Sequence, residues 1–414
     1  MKLLHAADLH LDSPMVGLTA YEEAPVERLR LATRLALGNL VDLAVEESVD
    51  VVLLAGDIFD GDWPHYGTGV HFVSEMARLR EADIPVVIVA GNHDAESKLT
   101  KSLQLPDNVR TLSTRKPETV TFEALGLAVH GQGYATPAMQ EDLSAGYPAP
   151  LADMINVGLL HTSADGRPGH ERYAPCTVSG LEQRGYDYWA LGHVHRGEVL
   201  AAEMPIVFPG NLQGRGLRET GAKGATLLHI DADGFVSFEH RVLDVVRWVL
   251  LEVDADGCTG RDEISERIAS VLRQAVPEAG DRLVAARVTI MGACEAHSAL
   301  ATDAERLRYD VVAAAADVPG TDVWIEGVRL KTSSLRDLAH SGEDAVGELM
   351  QELAELSEGQ HALDALKATL EPLAKLLPPA ILAEFDPTDT GTIQRLMTEV
   401  GQSLPVALLS RSVA

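Results

Sequence analysis

Two stretches decide the fold: Val51–Asp60, VVLLAGDIFD, and Pro85–Asp94, PVVIVAGNHD. Each opens with a continuous apolar run rich in β-branched residues, too short for a helix and without the alternation of a half-exposed strand. Such runs read as strands buried on both faces. Each then breaks at a glycine into acidic, amide and imidazole side chains. The same rhythm holds on either side. Lys2–Ala7 reads as a strand that runs into Asp8–Leu9–His10. Ile155–Leu160 ends on His161, and Tyr188–Leu191 ends on Gly192–His193–Val194–His195. Amphipathic helices are expected at Val26–Glu47, with Leu29, Leu35, Leu40 and Leu43 on the apolar side, and at Val70–Glu81. Further strands are expected at Leu125–His130, Ile206–Phe208, Ala225–Ile230 and Phe235–Arg241. Alternation early and strands later imply an α/β domain of four layers, α/β/β/α, built on two packed sheets over residues 1–245.

Near residue 246 the pattern changes. Strands at Trp248–Val253, Arg282–Met291 and Val323–Leu330, with helices at Arg261–Gln274 and Thr302–Ala315, imply a smaller α+β domain over 246–332. From 333 to 414 the chain reads as a helical C-terminal region, broken at Pro372, Pro378–Pro379 and Pro405. Its segment Ala362–Phe385 offers apolar helical stretches either to its own domains or to a partner.

A chain of 414 residues exceeds one ordinary core. There is no apolar leader and no spanning run, so a membrane location is not expected. Three widely spaced cysteines, Cys176, Cys258 and Cys294, give neither a disulfide framework nor a CxxC site, which fits the cytoplasm. The net charge is −28, from 62 acidic and 34 basic side chains, and residues 251–414 alone carry 28 acidic against 14 basic. A protein that grips DNA unaided usually shows a basic surface. This one concentrates a local basic groove, borrows one from a partner, lives in a saline cytosol, or simply carries a soluble acidic surface.

Taken singly, the five motifs are ordinary turns and strand-end histidines. Together they deliver carboxylate, imidazole and amide groups beyond the carboxyl ends of successive strands, where ligands gather in sheets of this kind. Two divalent ions about 3.5–4 Å apart can clamp a phosphate and stabilise both attacking and leaving oxygens. Asp57, central in the motif order, is the natural bridge. Asp8, His10 and His195 would complete one ion, and Asn92, His161 and His193 the other. Mixed nitrogen and oxygen ligation without thiolate suits Mn²⁺, Fe or Zn²⁺, and open octahedral sites favour Mn²⁺. His93 is then free to protonate the leaving oxygen, with Asp94 expected to orient its ring. Asp12 and Asp60 read equally as supporting carboxylates or loop caps. The glycine-rich stretch Gly210–Arg215, with Arg218, reads either as a phosphate cradle or as a plain connection. Arg196, Arg215, Arg218 and Lys223 are the candidate DNA contacts.

DLH, GDIFD, GNHD, the lone histidine and GHVH together resemble the calcineurin-like metallophosphoesterases. HAADLHLDSP, LLAGDIFDG, GNHDAES, LGHVHRGEV, FPGNLQGRGLRETGAKG and LDVVRW narrow the resemblance to the SbcD-type DNA double-strand-break-repair nucleases, in the YhaO-like branch. It covers residues 1–250 strongly, the next domain in outline and the C-terminal helices hardly at all. The resemblance implies a metallophosphoesterase sandwich with a capping domain, two Mn²⁺ ions held by Asp8, His10, Asp57, Asn92, His161, His193 and His195, and a leaving-group role for His93. It also implies a DNA exonuclease acting in repair with an SMC-like coiled-coil ATPase; a homodimer is left open. Gly216 departs from the branch, where a histidine is usual. The rival readings are a phosphodiesterase acting on nucleotides or other small substrates, which would share every ligand, and a non-catalytic DNA or ATPase scaffold. The intact ligand set counts against the scaffold.

Overall fold

A computed structural model of the chain describes residues 1–13, 24–61, 66–97, 103–166, 173–231, 233–276, 279–318, 322–334, 360–377, 382 and 385–397. Contacts divide the chain into two compact units. The first comprises Met1–Val249 with Glu278–Ala286 and Gly320–Glu326, and the second Leu250–Pro277, Arg287–Pro319 and Gly327–Ala414.

The first unit is built on two six-stranded sheets. One holds β1 (Lys2–Ala6), β2 (Val51–Leu54), β3 (Val86–Ile88) and β4 (Val109–Thr111) in parallel, with β11 (Gly224–Ile230) and β12 (Val236–Val242) antiparallel beyond β1. Its order is β12-β11-β1-β2-β3-β4. The other holds β6 (Leu127–Gly131), β7 (Ile155–His161), β8 (Tyr188–Gly192) and β10 (Ile206–Phe208) in parallel, edged by β5 (Glu118–Phe122) and β9 (Glu198–Ala201), both antiparallel. Its order is β5-β6-β7-β8-β10-β9.

The period of two along each strand sorts the layers. Leu3, Val51, Leu53 and Val87 pack against Val129, Val157, Leu159 and Ala190 between the sheets. Leu4, Val52, Leu54 and Val86 point the other way, onto helices α1 (Val26–Glu46) and α2 (Gly67–Glu81). Buried positions of α1 include Leu29, Ala36, Leu40 and Leu43. Leu35, expected on that stripe, is 50% exposed. The outer face of the second sheet, with Leu160, Trp189 and Leu191, is covered by loops and the five-residue helix α4 (Val178–Glu182), so the fourth layer is thin.

Gly158 faces Trp189 across β7 and β8, and a Cβ there would enter the indole ring, which is fully buried. Gly158→Ala should therefore cost about 1–3 kcal/mol by overpacking. Urea unfolding followed by tryptophan fluorescence measures this, and an unchanged midpoint would mean that the ring moves freely.

The second unit carries α5 (Arg261–Ala275), α6 (His297–Thr302) and α7 (Ala304–Ala316). Residues Ile264, Ile268 and Leu272 of α5, and Leu307, Val311 and Ala315 of α7, are buried at spacings of one helical turn. The single helix expected over Thr302–Ala315 is two helices. Asp303 breaks the first and caps the second, its carboxylate accepting from Arg306 N at 2.9 Å. A three-stranded sheet, β13-β14-β15, comprises β13 (Val246–Asp254), β14 (Leu283–Cys294) and β15 (Asp322–Ser334). In the C-terminal region α8 (Gln360–Ala374) is helical through Pro372, whereas Pro378–Pro379 and Pro405 lie outside the described residues. No helix among the described residues is long and apolar enough to cross a membrane.

Candidate metal centre

The five motifs occupy the loops beyond the carboxyl ends of β1, β2, β3, β7 and β8, and the two sheets bring them together. Asp8 accepts His193 N at 2.9 Å. His161 Nδ1 donates to Ala55 O at 2.9 Å, and His93 N donates to Asp57 Oδ1 at 3.0 Å. Asp8, His10, Asp57 and His161 are all but fully buried, while the His93 side chain is 38% exposed.

Close approach of backbones needs the glycines here. At Gly56 φ is +90°, and a Cβ would stand 2.6 Å from His161 Nδ1. Five polar residues of these loops, Asp8, His10, Asp12, Asp57 and His193, also hold positive φ, at 52°, 43°, 56°, 52° and 105°.

Hydrogen bonds behind the ligand candidates fix which atoms face inward. His10 Nδ1 donates to Asp60 at 3.2 Å and His195 Nδ1 to Glu219 at 2.7 Å. Their Nε2 atoms then face each other, 3.2 Å apart, both as lone pairs when the rings are neutral. Likewise, with Nδ1 committed to Ala55, His161 Nε2 turns its lone pair toward Asn92 Oδ1 at 3.0 Å and Asp57 Oδ2 at 3.4 Å. Converging acceptors with no hydrogen between them repel, and a cation or a proton must stand among them. Burial disfavours a charged His161, yet Asp57 and Asp8 overcome this and lift its pKa to about 9. Burial pulls His10 down to about 4 despite Asp60. It also raises Asp8, with Asp57 adding to the rise and His195 and His161 opposing it. Among the described residues the buried Tyr134 hydroxyl has no hydrogen-bond partner, and its ring lies edge-on to His161, centroids 5.3 Å apart.

Among the described residues three groups of side chains have their ligand atoms close enough to share an ion: Asp8–His10–His195, Asp57–His161–His193 and His10–Asp60–His93. Asp57 Oδ2 lies 3.9 Å from His10 Nε2 and 3.4 Å from His161 Nε2, between the first two groups. The residues present fit a pair of divalent cations.

Some expectations are corrected. Asp94 does not face His93. Its buried carboxylate accepts the backbone N–H groups of Gly91, Phe59 and Ile58 at 3.0, 3.1 and 3.2 Å, tying two loops together. Burial, with Asp57 nearby, raises Asp94 to about 6. Asp60 instead stands on His93, its Oδ1 3.1 Å from Nδ1, and also accepts Ser13 Oγ at 2.6 Å. Asp12 binds Arg34 and Thr68, joining α1 to α2. Arg215 is not a free phosphate grip: its guanidinium binds Glu219 at 3.0 Å and Ser13 Oγ at 3.2 Å. Lys223 is buried, with Nζ donating to His195 O at 2.8 Å. Arg196 and Arg218 are exposed. Gly216 faces open space. Glu219 is the residue that motif reading missed, since it collects His195 Nδ1, Arg215 N and Asn211 Nδ2 within 2.8 Å. Its only signal was a lone acid in a glycine-rich loop.

Residues 1–197 match the family described as calcineurin-like phosphoesterase, and residues 248–333 the middle domain of metallophosphoesterase YhaO. The uncharacterized metallophosphoesterase YhaO of Bacillus subtilis is 36% identical over 281 residues, 66% of this chain and 69% of that protein. This chain belongs to the calcineurin-like phosphoesterases, in the YhaO branch. This phosphoesterase is also similar to two proteins described as DNA double-strand break repair protein Mre11. That of Methanopyrus kandleri is 28% identical over 294 residues, 65% of this chain and 62% of that one. That of Sulfurisphaera tokodaii is 27% identical over 251 residues, covering 56% and 60%. As a calcineurin-like phosphoesterase the protein is a hydrolase of ester bonds, and the α/β double-sheet architecture is that of its family.

Proposed function

We propose that this phosphoesterase is a Mn²⁺-dependent DNA exonuclease acting in repair in the cytoplasm. The observation that carries the reading is the pair of facing ligand groups with Asp57 between them and the exposed His93 beside them. Asp8, His10 and His195 would hold one ion and Asn92, His161 and His193 the other. Two such ions, when bound, supply Lewis-acid polarisation of the phosphate and an acidified water. The chain supplies the rest. Asp60 fixes the His93 ring through Nδ1, leaving Nε2 to hand a proton to the departing oxygen. Glu219 holds His195 in the tautomer that turns Nε2 inward. The choice of DNA draws on the Mre11 relatives.

A partner follows from the charge. With a balance of −28 and with Arg215 bound internally, unaided DNA affinity should be weak. An SMC-like ATPase with a basic surface would supply it. The same engagement of Arg215 favours the second reading, hydrolysis of nucleotides or other small diesters.

End-labelled duplexes and bis-p-nitrophenyl phosphate, each incubated with Mn²⁺ and the purified protein, separate the two readings. Release of nucleotides from DNA ends is expected. Brisk turnover of the small diester with intact DNA, even with the ATPase added, would give the case to the small substrate. Glu219→Gln should weaken metal affinity about 10–100-fold while leaving the fold intact. Competition with a chelating dye checks this, and unchanged affinity would make Glu219 a loop clamp only.

A further inference from the structure

One cleft of about 450 Å³ opens on the flank of the metal centre, within the size range of small-molecule sites, about 300–1,000 Å³. Its position follows from strand direction. β11 runs antiparallel to β1, with Thr226 opposite His5, and β12 runs antiparallel to β11, with His240 opposite Thr226. β10 runs parallel to β8, and β9 returns beside it, with Glu198 opposite Phe208. The ends of these four strands that line the cleft therefore lie at the rim that carries Asp8 and His193.

The lining combines two chemistries. Val199, Val207 and Phe238 form an apolar wall, and Thr220 and Thr226 add hydroxyls. The cationic side is Arg196 and Lys223. Lys223 is 6% exposed, and its ammonium is bonded to a neutral carbonyl, that of His195, with no carboxylate at ion-pair distance among the described residues. Arg196 makes no hydrogen bond or ion pair among the described residues. Glu198, the one carboxylate of the lining, has a contact of its own. A buried cation normally has an anion beside it; the nearby carboxylates, Glu219 and Asp244, are held by His195 with Arg215 and by Arg247 with Arg282, and the cleft beside Lys223 is open.

We propose that this cleft is a nucleotide subsite, taking the phosphate of the residue next to the scissile diester on Arg196 and Lys223 and its base against Phe238. The proposal rests on the nucleic-acid reading above and names where the substrate strand goes. It also gives Lys223 a purpose that DNA grip by an exposed side chain did not: the same ammonium touches the phosphate and the His195 loop.

Equilibrium dialysis of the purified protein with thymidine 5′-monophosphate, thymidine and inorganic phosphate tests it, using wild type, Arg196→Glu and Ala222→Trp. Both substitutions fall on exposed positions of the cleft, outside the metal centre. The monophosphate should bind more tightly than either fragment and lose at least about tenfold in affinity in both variants, the scale of one charge-assisted hydrogen bond. KM for a short oligonucleotide should rise by a similar factor with kcat held, while turnover of bis-p-nitrophenyl phosphate stays unchanged. Equal binding by all three proteins, no binding, or phosphate matching the monophosphate would overturn the subsite. Loss of monophosphate binding in the variants, with no DNA cleaved by wild type, would leave the cleft standing and remove the nuclease reading instead.

Discussion

His93→Ala should lower kcat by about 10²–10⁴-fold, the usual contribution of a general acid, with both ions still bound. The structure separates the two roles of this residue. Its backbone N–H holds Asp57 Oδ1 at 3.0 Å, which alanine preserves. Its ring reaches only partly into the centre and meets Asp60. Elemental analysis beside single-turnover kinetics decides the matter. If the variant loses metal, the cluster His10–Asp60–His93 is itself a metal site and His93 is a ligand.

Asp57→Asn should be the most damaging single change to metal content. Asp57 stands within 4 Å of a histidine from each ligand group, so its charge serves both ions. Loss of a hydrogen-bonding residue behind a ligand costs about 10–100-fold in metal affinity, and loss of a shared ligand should exceed that. Asparagine keeps the shape and the acceptor for His93 N, so the fold should survive. Plasma mass spectrometry of the purified variant should find one ion or fewer per chain. Two ions retained at full occupancy would end the assignment of Asp57 as a bridge.

What the sequence exposes depends on how local the cause is. Runs such as VVLLA and PVVIVA could only be buried strands, and the side chains that follow them land at one rim because parallel strands share a direction. Short edge strands escaped notice. β9 and β5 are half-exposed and mixed in character, and they are strands because a neighbour pairs with them. Partner choice was equally hidden. Asp94 sits next to His93 in sequence, but the helical turn Asn92–Glu96 sends its carboxylate under the loop. Asp60, 33 positions earlier, arrives instead. The basic residues were the least legible, because charge in a sequence does not reveal a neighbour. Arg215 met Glu219 and Lys223 met a carbonyl. A double reversal of Arg215 and Arg218 to glutamate would therefore disturb His195 as well as any DNA contact.

The loops that carry the ligands hold Asp8, His10, Asp57 and His193 at positive φ, where a side chain other than that of glycine costs about 1–3 kcal/mol. This sets function against folding at single positions. His193→Gly should raise the melting temperature of chelator-treated protein, as differential scanning fluorimetry would show, while forfeiting an ion. A library selected for heat tolerance alone would then fill with inactive winners at these four positions. Any thermostabilised form of this enzyme has to be sought with the loops held constant, and an unusually stable natural relative with glycine at one of them would be a candidate pseudoenzyme.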